Sequence, residues 1–159
     1  MNAKVLGLEQ IAQVARRLRA EGKKLVVTNG CFDLLHVGHV RYLERARKLG
    51  DALAVGVNGD DSVRALKGEA RPLNNESDRA EVLAALACVD FVTIFPEVRA
   101  THFLERVQPG IYVKGGDYKP ETLDARESAA LQKVGADVRI IPFEPGYSTS
   151  SLIERMQGA

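Results

Sequence analysis

Five short apolar runs alternate along this 159-residue chain with stretches whose apolar residues return every three or four positions. The runs are residues 24–28, 52–57, 91–95, 111–114 and 138–141, and their lengths suit buried strands. Before the first run, Leu8, Ile11, Ala12, Ala15 and Leu18 mark a helix, with Gly22 placed to stop it. Between the first two runs, residues 37–49 carry Val40, Leu43, Ala46 and Leu49 on one side and end at Gly50. Further helices are expected near residues 77–87, 100–107 and 125–134, with a short one at 152–156. Consecutive parallel strands need crossovers, and the crossovers here are helices, so the pattern predicts a parallel sheet covered on both faces. Right-handed crossovers make it a doubly wound, three-layer α/β domain. The one long irregular segment is 67–75.

With 45% hydrophobic residues and no shift in composition, residues 1–159 read as a single domain with a substantial core. Lys plus Arg number 22 against 21 acidic residues, so no global field collects nucleic acid or an anionic membrane, and any phosphate recognition must be local. The apolar runs are far shorter than a membrane span and the opening residues form no signal peptide, so the expected location is cytoplasmic. Two cysteines, Cys31 and Cys88, form no secreted disulfide framework.

Ligands of doubly wound sheets bind beyond the carboxyl ends of the strands. Four polar segments lie at such ends: residues 29–39, Asn58-Gly59-Asp60, Lys114-Gly115-Gly116-Asp117-Tyr118 and Gly146-Tyr147-Ser148-Thr149-Ser150. In the first, His36-Val37-Gly38-His39 opens a helix whose first N–H groups lack intrahelical partners, which makes a cradle for anions. His36 and His39 lie three apart and can face a phosphate together, while Gly38 leaves room for it. Two histidines at this spacing can also bind a metal, although no third ligand stands nearby in zinc-like spacing. Cys31 reads as a small loop filler, a nucleophile being the alternative. Lys67 and Arg71 flank Gly68 in the irregular segment, which either closes over phosphates or is a solvated loop. Arg79, near a helix start, is either an exposed cation or a fork for phosphate and ribose oxygens. Gly115 and Gly116 permit close backbone approach to a planar ligand, with Asp117 as acceptor or turn cap. Ser148, Thr149, Ser150 and Ser151 offer more hydroxyls at a helix start than one cap needs, and so predict a second anion site.

The run from Asn29 to His39 resembles the signature of the HxGH nucleotidyltransferases, a superfamily that includes the cytidylyltransferases and has a Rossmann-like fold. Within it, Leu66-Lys67-Gly68-Glu69 with Arg71-Pro72, Lys114-Gly115-Gly116-Asp117-Tyr118-Lys119-Pro120, and Phe143-Glu144 with Gly146 and Ser148-Thr149 are similar to D-glycero-β-D-manno-heptose 1-phosphate adenylyltransferases. The resemblance implies ATP and Mg²⁺, with heptose 1-phosphate attacking the α-phosphorus and pyrophosphate leaving, on the way to lipopolysaccharide core precursors. It implies that His36 and His39 stabilise charge on the phosphates, that Asn29, Gly30, Cys31 and Phe32 wrap the nucleotide, and that Asp33 lies beside the phosphates or metal. It further implies that Lys67 holds phosphate oxygens with help from Arg79, that Asp117 borders the nucleotide, and that Ser148 to Ser150 receive pyrophosphate. In several bacteria this activity is half of a bifunctional protein with a sugar kinase, so a separate kinase is implied here, as is a dimer or larger homo-oligomer. Glycerol-phosphate cytidylyltransferases carry an arginine at the position of Phe143 and lack Lys114, which points away from cytosine. The rivals are a cytidylyltransferase acting on a small alcohol phosphate such as glycerol 3-phosphate, and a nucleotide-binding sensor without turnover.

Overall fold

A computed structural model describes residues 2–116 and 123–158. The chain runs α1 (Leu8–Ala20), β1 (Leu25–Gly30), α2 (Val37–Arg47), β2 (Ala52–Asn58), α3 (Asp60–Lys67), α4 (Glu76–Ala84) and β3 (Phe91–Phe95). It continues through α5 (Thr101–Val107), β4 (Ile111–Gly115), α6 (Ala125–Lys133), β5 (Asp137–Ile141) and α7 (Thr149–Gln157). The five strands form one sheet in the order β3-β2-β1-β4-β5, and every pairing is parallel.

Each face of the sheet carries its own apolar cluster, which makes the three layers. On one face Tyr42, Leu43 and Ala46 of α2 and Ala80, Leu83 and Ala84 of α4 meet Val26, Leu53, Val55 and Val57. On the other, Ile11 and Ala15 of α1, Phe103, Leu104 and Val107 of α5 and Leu131 of α6 meet Leu25, Val27, Ala52 and Ala54. All seven residues of β2 are buried, whereas the edge strand β5 is half exposed, as its position in the sheet requires. β1 leads to β2 on one side, whereas β4 on its other side is reached from β3, and at this change of direction a crevice opens at the carboxyl end of β1.

Three boundaries differ from the sequence expectation. Residues 60–67 form α3, which leaves 68–75 as the irregular segment and places Lys67 on the last turn of a helix. α4 stops at Ala84, and the turn that follows lets Val89 enter the core. α7 starts at Thr149, with Ser148 as its N-cap. Among the described residues no helix is long and apolar enough to cross a membrane.

Candidate active site

A cavity of about 870 Å³ opens at the carboxyl ends of β1, β2 and β4, and it is lined by residues of all four polar segments seen in the sequence. Its floor is the cradle between β1 and α2, where Asn29, Gly30, Cys31, Phe32, Asp33, His36, Gly38 and His39 all reach the surface of the cavity. The Asn29 side chain is fixed by the Tyr112 hydroxyl, which donates to its Oδ1. Phe32 adopts the left-handed φ of 49° and lays its ring over Gly30, where a Cβ would come within 3.0 Å of it.

His36 is the N-cap of α2 and His39 is its third residue, and the two close a reciprocal capping box. The Gly38 N–H donates to His36 Nδ1 at 3.1 Å, and the His36 N–H donates to His39 Nδ1 at 3.3 Å. An Nδ1 that accepts a hydrogen bond carries no proton, so each neutral ring holds its proton on Nε2 and presents a donor. Burial lowers the pKa of His39 to about 4, with the neighbouring His36 adding to the effect, and burial also lowers that of His36. The ring centroids are 3.9 Å apart. At neutral pH the pair is therefore two neutral rings with Nε2–H donors at a helix N-terminus, not two cations. Gly38 is required by this packing, since a Cβ there would lie 2.8 Å from His36 Cε1 and 3.0 Å from Tyr147 Cβ.

Asp33 and Arg79 are both bound to protein groups around the cradle. The Asp33 carboxylate, buried at 3% exposure, accepts from Leu73 N at 2.8 Å, Asn74 N at 3.0 Å and Arg71 Nε at 2.6 Å. Burial alone would raise its pKa, but the bonds from Asn74, Leu73 and Arg71 outweigh it and hold the group below its usual value. Asp33 thus fastens the 71–74 segment to the cradle while it lines the cavity beside His36 and His39. Arg79 is a buried strut, absent from the cavity lining: it donates to Asn74 O at 2.9 Å, Cys31 O at 2.7 Å and Asp60 Oδ1 at 2.8 Å. Its fork fits those protein acceptors, so it braces the cradle from behind. Cys31 keeps its proton because burial raises the thiol pKa, which suits a loop filler and not a nucleophile.

Around the rim, Lys67 and Arg71 line the cavity from the α3 side, and Lys114 and Gly115 line it from β4. The planar group against the glycine turn is Phe143, whose ring a Cβ at Gly115 would meet at 2.7 Å. Asp117 lies outside the described residues. Of the hydroxyl run, Ser148 Oγ caps α7 by accepting from Ser151 N at 3.0 Å, and Thr149 Oγ1 donates to Leu34 O at 3.0 Å, which clasps α7 to the cradle. Ser148, Thr149 and Ser150 all line the cavity, so the start of α7 faces the same space as the start of α2. Sequence reasoning missed Glu127, Asp124 and Arg99, which line the opposite end of the cavity. They follow no motif, and only the approach of α6 to the β3–α5 connection brings them there.

Comparison with known proteins decides the family. The sequence model of the cytidylyltransferase-like family matches residues 27–155, which span the cradle, the rim and α7. The chain belongs to the cytidylyltransferase-like family. It is 49% identical over 156 residues to the bifunctional protein HldE of Geotalea uraniireducens and 46% identical over 153 residues to that of Haemophilus influenzae. Those alignments cover 98% and 96% of this chain, which spans about a third of the length of these relatives. Among solved structures, a lipopolysaccharide core biosynthesis protein from Thermoplasma volcanium matches at 30% identity and a TM-score of 0.63, over 77% of this chain and 98% of that one. A pantoate–β-alanine ligase from Francisella tularensis shares the fold at 13% identity and a TM-score of 0.59, over 92% of this chain and 68% of that one. A cytidylyltransferase-like chain is a nucleotidyltransferase, and in this one a neutral histidine pair sits at the helix start that opens into the cavity.

The described carboxylates of the cavity do not form a magnesium cage. Asp33 is engaged by three donors, Asp124 by Arg99 and the first turn of α6, Glu144 by Arg41 and Arg45, and Glu127 by Ala100 N through one oxygen. Mg²⁺ retains water readily and binds triphosphate oxygens, so such an ion would enter with a nucleotide.

Proposed function

We propose that this domain transfers the adenylyl group of ATP to D-glycero-β-D-manno-heptose 1-phosphate, giving ADP-heptose and pyrophosphate. The observation that carries the proposal is the tautomer-locked histidine pair, whose Nε2–H donors share a cavity with Lys67, Arg71 and the start of α7. Relatives named as the bifunctional protein HldE, and a structural neighbour named for lipopolysaccharide core biosynthesis, support the sugar phosphate as acceptor. Lys114 and Phe143 beside the glycine turn support adenine over cytosine.

In this reading a phosphate oxygen of the sugar 1-phosphate attacks the α-phosphorus of ATP in line, and the bond from that phosphorus to the β-bridging oxygen breaks. The electron pair departs with pyrophosphate. His36 and His39 donate to the α- and β-phosphate oxygens as charge accumulates there, while Lys67 and the α7 N-terminus receive the leaving group. The acceptor phosphate is ionised at neutral pH, so it needs no general base, and the protonated Cys31 supplies no covalent intermediate. The acceptor would come from a kinase reaction, on a separate chain or on another part of a longer one, and ATP places the work in the cytoplasm. Assembly as a dimer or larger belongs to the same proposal.

The test is a reaction with ATP made chiral at the α-phosphorus by sulfur substitution, and heptose 1-phosphate as acceptor. The expected product is ADP-heptose with inverted configuration. Absence of that product defeats the assignment, and retention defeats the single displacement.

A further inference from the structure

The cavity is larger than a phosphate cradle needs, and its two flanks differ in chemistry. Beyond β4 and β5 lie the glycine turn and the Phe143 ring. Beyond β2 and β3 lie Asn58, Val98 and Arg99, joined by Glu127 from the first turn of α6. Asn58 is 3% exposed and Glu127 6% exposed, yet both line the cavity.

Each of these two buried side chains has one oxygen that no described residue serves. Asn58 Nδ2 approaches Ser62 Oγ at 3.2 Å, Glu97 O at 3.3 Å and Val98 O at 3.4 Å. Two of those partners are carbonyl oxygens, which can only accept, so the amide orientation is fixed and Asn58 Oδ1 meets no donor among the described residues. Glu127 Oε1 accepts from Ala100 N at 3.1 Å, which ties α6 to the start of α5, and Oε2 receives no hydrogen bond from a described residue. Neither oxygen is sealed from solvent, since the fully buried side-chain atoms without partners are the hydroxyls of Thr93 and Thr101. Buried acceptors that line a cavity and meet no donor among the described residues call for a ligand rich in hydroxyl groups.

Resting on the reading above, we infer that Glu127 and Asn58 are the hydroxyl-reading end of the acceptor site, and accept hydrogen bonds from the ring or side-chain hydroxyls of the sugar 1-phosphate. The ribose of the nucleotide offers the same chemistry. The sugar is assigned because Asn58 and the Ala100 anchor of Glu127 follow β2 and β3, across β1 from the glycine turn given to the base. A missing hydroxyl leaves these acceptors unpaired, so the site rejects acceptors that lack it, whereas a bare phosphate cradle does not.

The experiment measures pyrophosphate release by the wild type and Glu127→Gln, with heptose 1-phosphate and its monodeoxy analogues as acceptors, and with ATP or 2′-deoxy-ATP as donors. Glutamine keeps a carbonyl oxygen for Ala100 N–H and replaces the free acceptor by a donor. The expected result is a loss of about 10- to 100-fold in kcat/KM for the sugar phosphate with the KM for ATP held within about twofold. The wild type should lose a similar factor on one deoxy analogue, and E127Q should lose little more on that same analogue, which shows the two changes to be coupled. Coupling to 2′-deoxy-ATP instead, or equal kinetics of the two proteins with the sugar phosphate, overturns the inference while the adenylyl transfer stands. If E127Q fails to fold, the analogue series on the wild type decides alone, and undiminished rates on every analogue overturn it. A wild type that releases no pyrophosphate with heptose 1-phosphate defeats the functional reading and this inference together.

Discussion

His36 and His39 perform two tasks with opposite ends of each ring: Nδ1 accepts a backbone N–H within the helix start, and Nε2–H remains for the ligand. Substitutions separate these tasks. His36→Ala removes an N-cap, costing roughly 0.5–2 kcal/mol of stability, as well as a donor, whereas His36→Asn restores a cap and lacks the ring donor. Both variants, like His39→Ala, should lower kcat by about 10²- to 10³-fold, and a thermal melt should show His36→Asn closer to the wild type than His36→Ala. A loss confined to KM would contradict a transition-state role. Gly38→Ala should act on the same atoms indirectly, since its Cβ would lie 2.8 Å from His36 Cε1, and kcat should fall while His36 is still present. His39 also sets a pH dependence. Its folded pKa of about 4 lies below the unfolded value of 6.5, so the unfolded chain binds the proton first, and stability should decline as pH falls from about 6.5 towards 4. Melting curves over that range should flatten in a His39→Gln variant. The histidines were legible in the sequence because a short motif at a strand end fixes backbone and side chain together. Arg79 was not, because a cation beside a helix start looks the same whether its fork faces a ligand or, as here, Cys31 O and Asp60.

At the scale of elements, the segment between α3 and α4 is held by a single residue of the cradle. Asp33 binds the N–H groups of Leu73 and Asn74 and the guanidinium of Arg71, and its own carbonyl accepts from Asn74 Nδ2 at 2.9 Å. Asp33→Asn should destabilise the protein by roughly 3 kcal/mol, since it leaves a part-buried cation without its counter-charge, and hydrogen exchange should accelerate across residues 71–74. Lys67 stands on the other bank of this segment, at the end of α3. Lys67→Ala should impair turnover with little change in melting temperature, and nucleotide should slow exchange at residues 68–75 in the wild type; unchanged exchange would make the segment a plain surface loop. The sequence showed the strands and the longer helices, whose apolar spacing repeats over several turns. It hid α3, which has eight residues and buries only Ser62 and Val63, too little for a period to emerge. It also hid the pairing of α6 with the β3–α5 connection, because contacts between elements distant in sequence leave no local pattern.

Across the whole molecule, the strand order puts β1 at the centre with β2 on one side and β4 on the other, so a single crevice with two flanks opens above one cradle, and the proposed reaction would use both flanks. In the proposed reaction the glycine turn and Phe143 on the β4–β5 flank would meet the base and set the nucleotide preference. The most direct measurement of the account is pyrophosphate release with heptose 1-phosphate in parallel reactions with ATP, CTP, GTP and UTP. The predicted result is turnover with ATP at a kcat/KM at least about tenfold above that with CTP, a difference of about 1.4 kcal/mol in transition-state binding. Faster release with CTP, or none with any nucleotide, would contradict it.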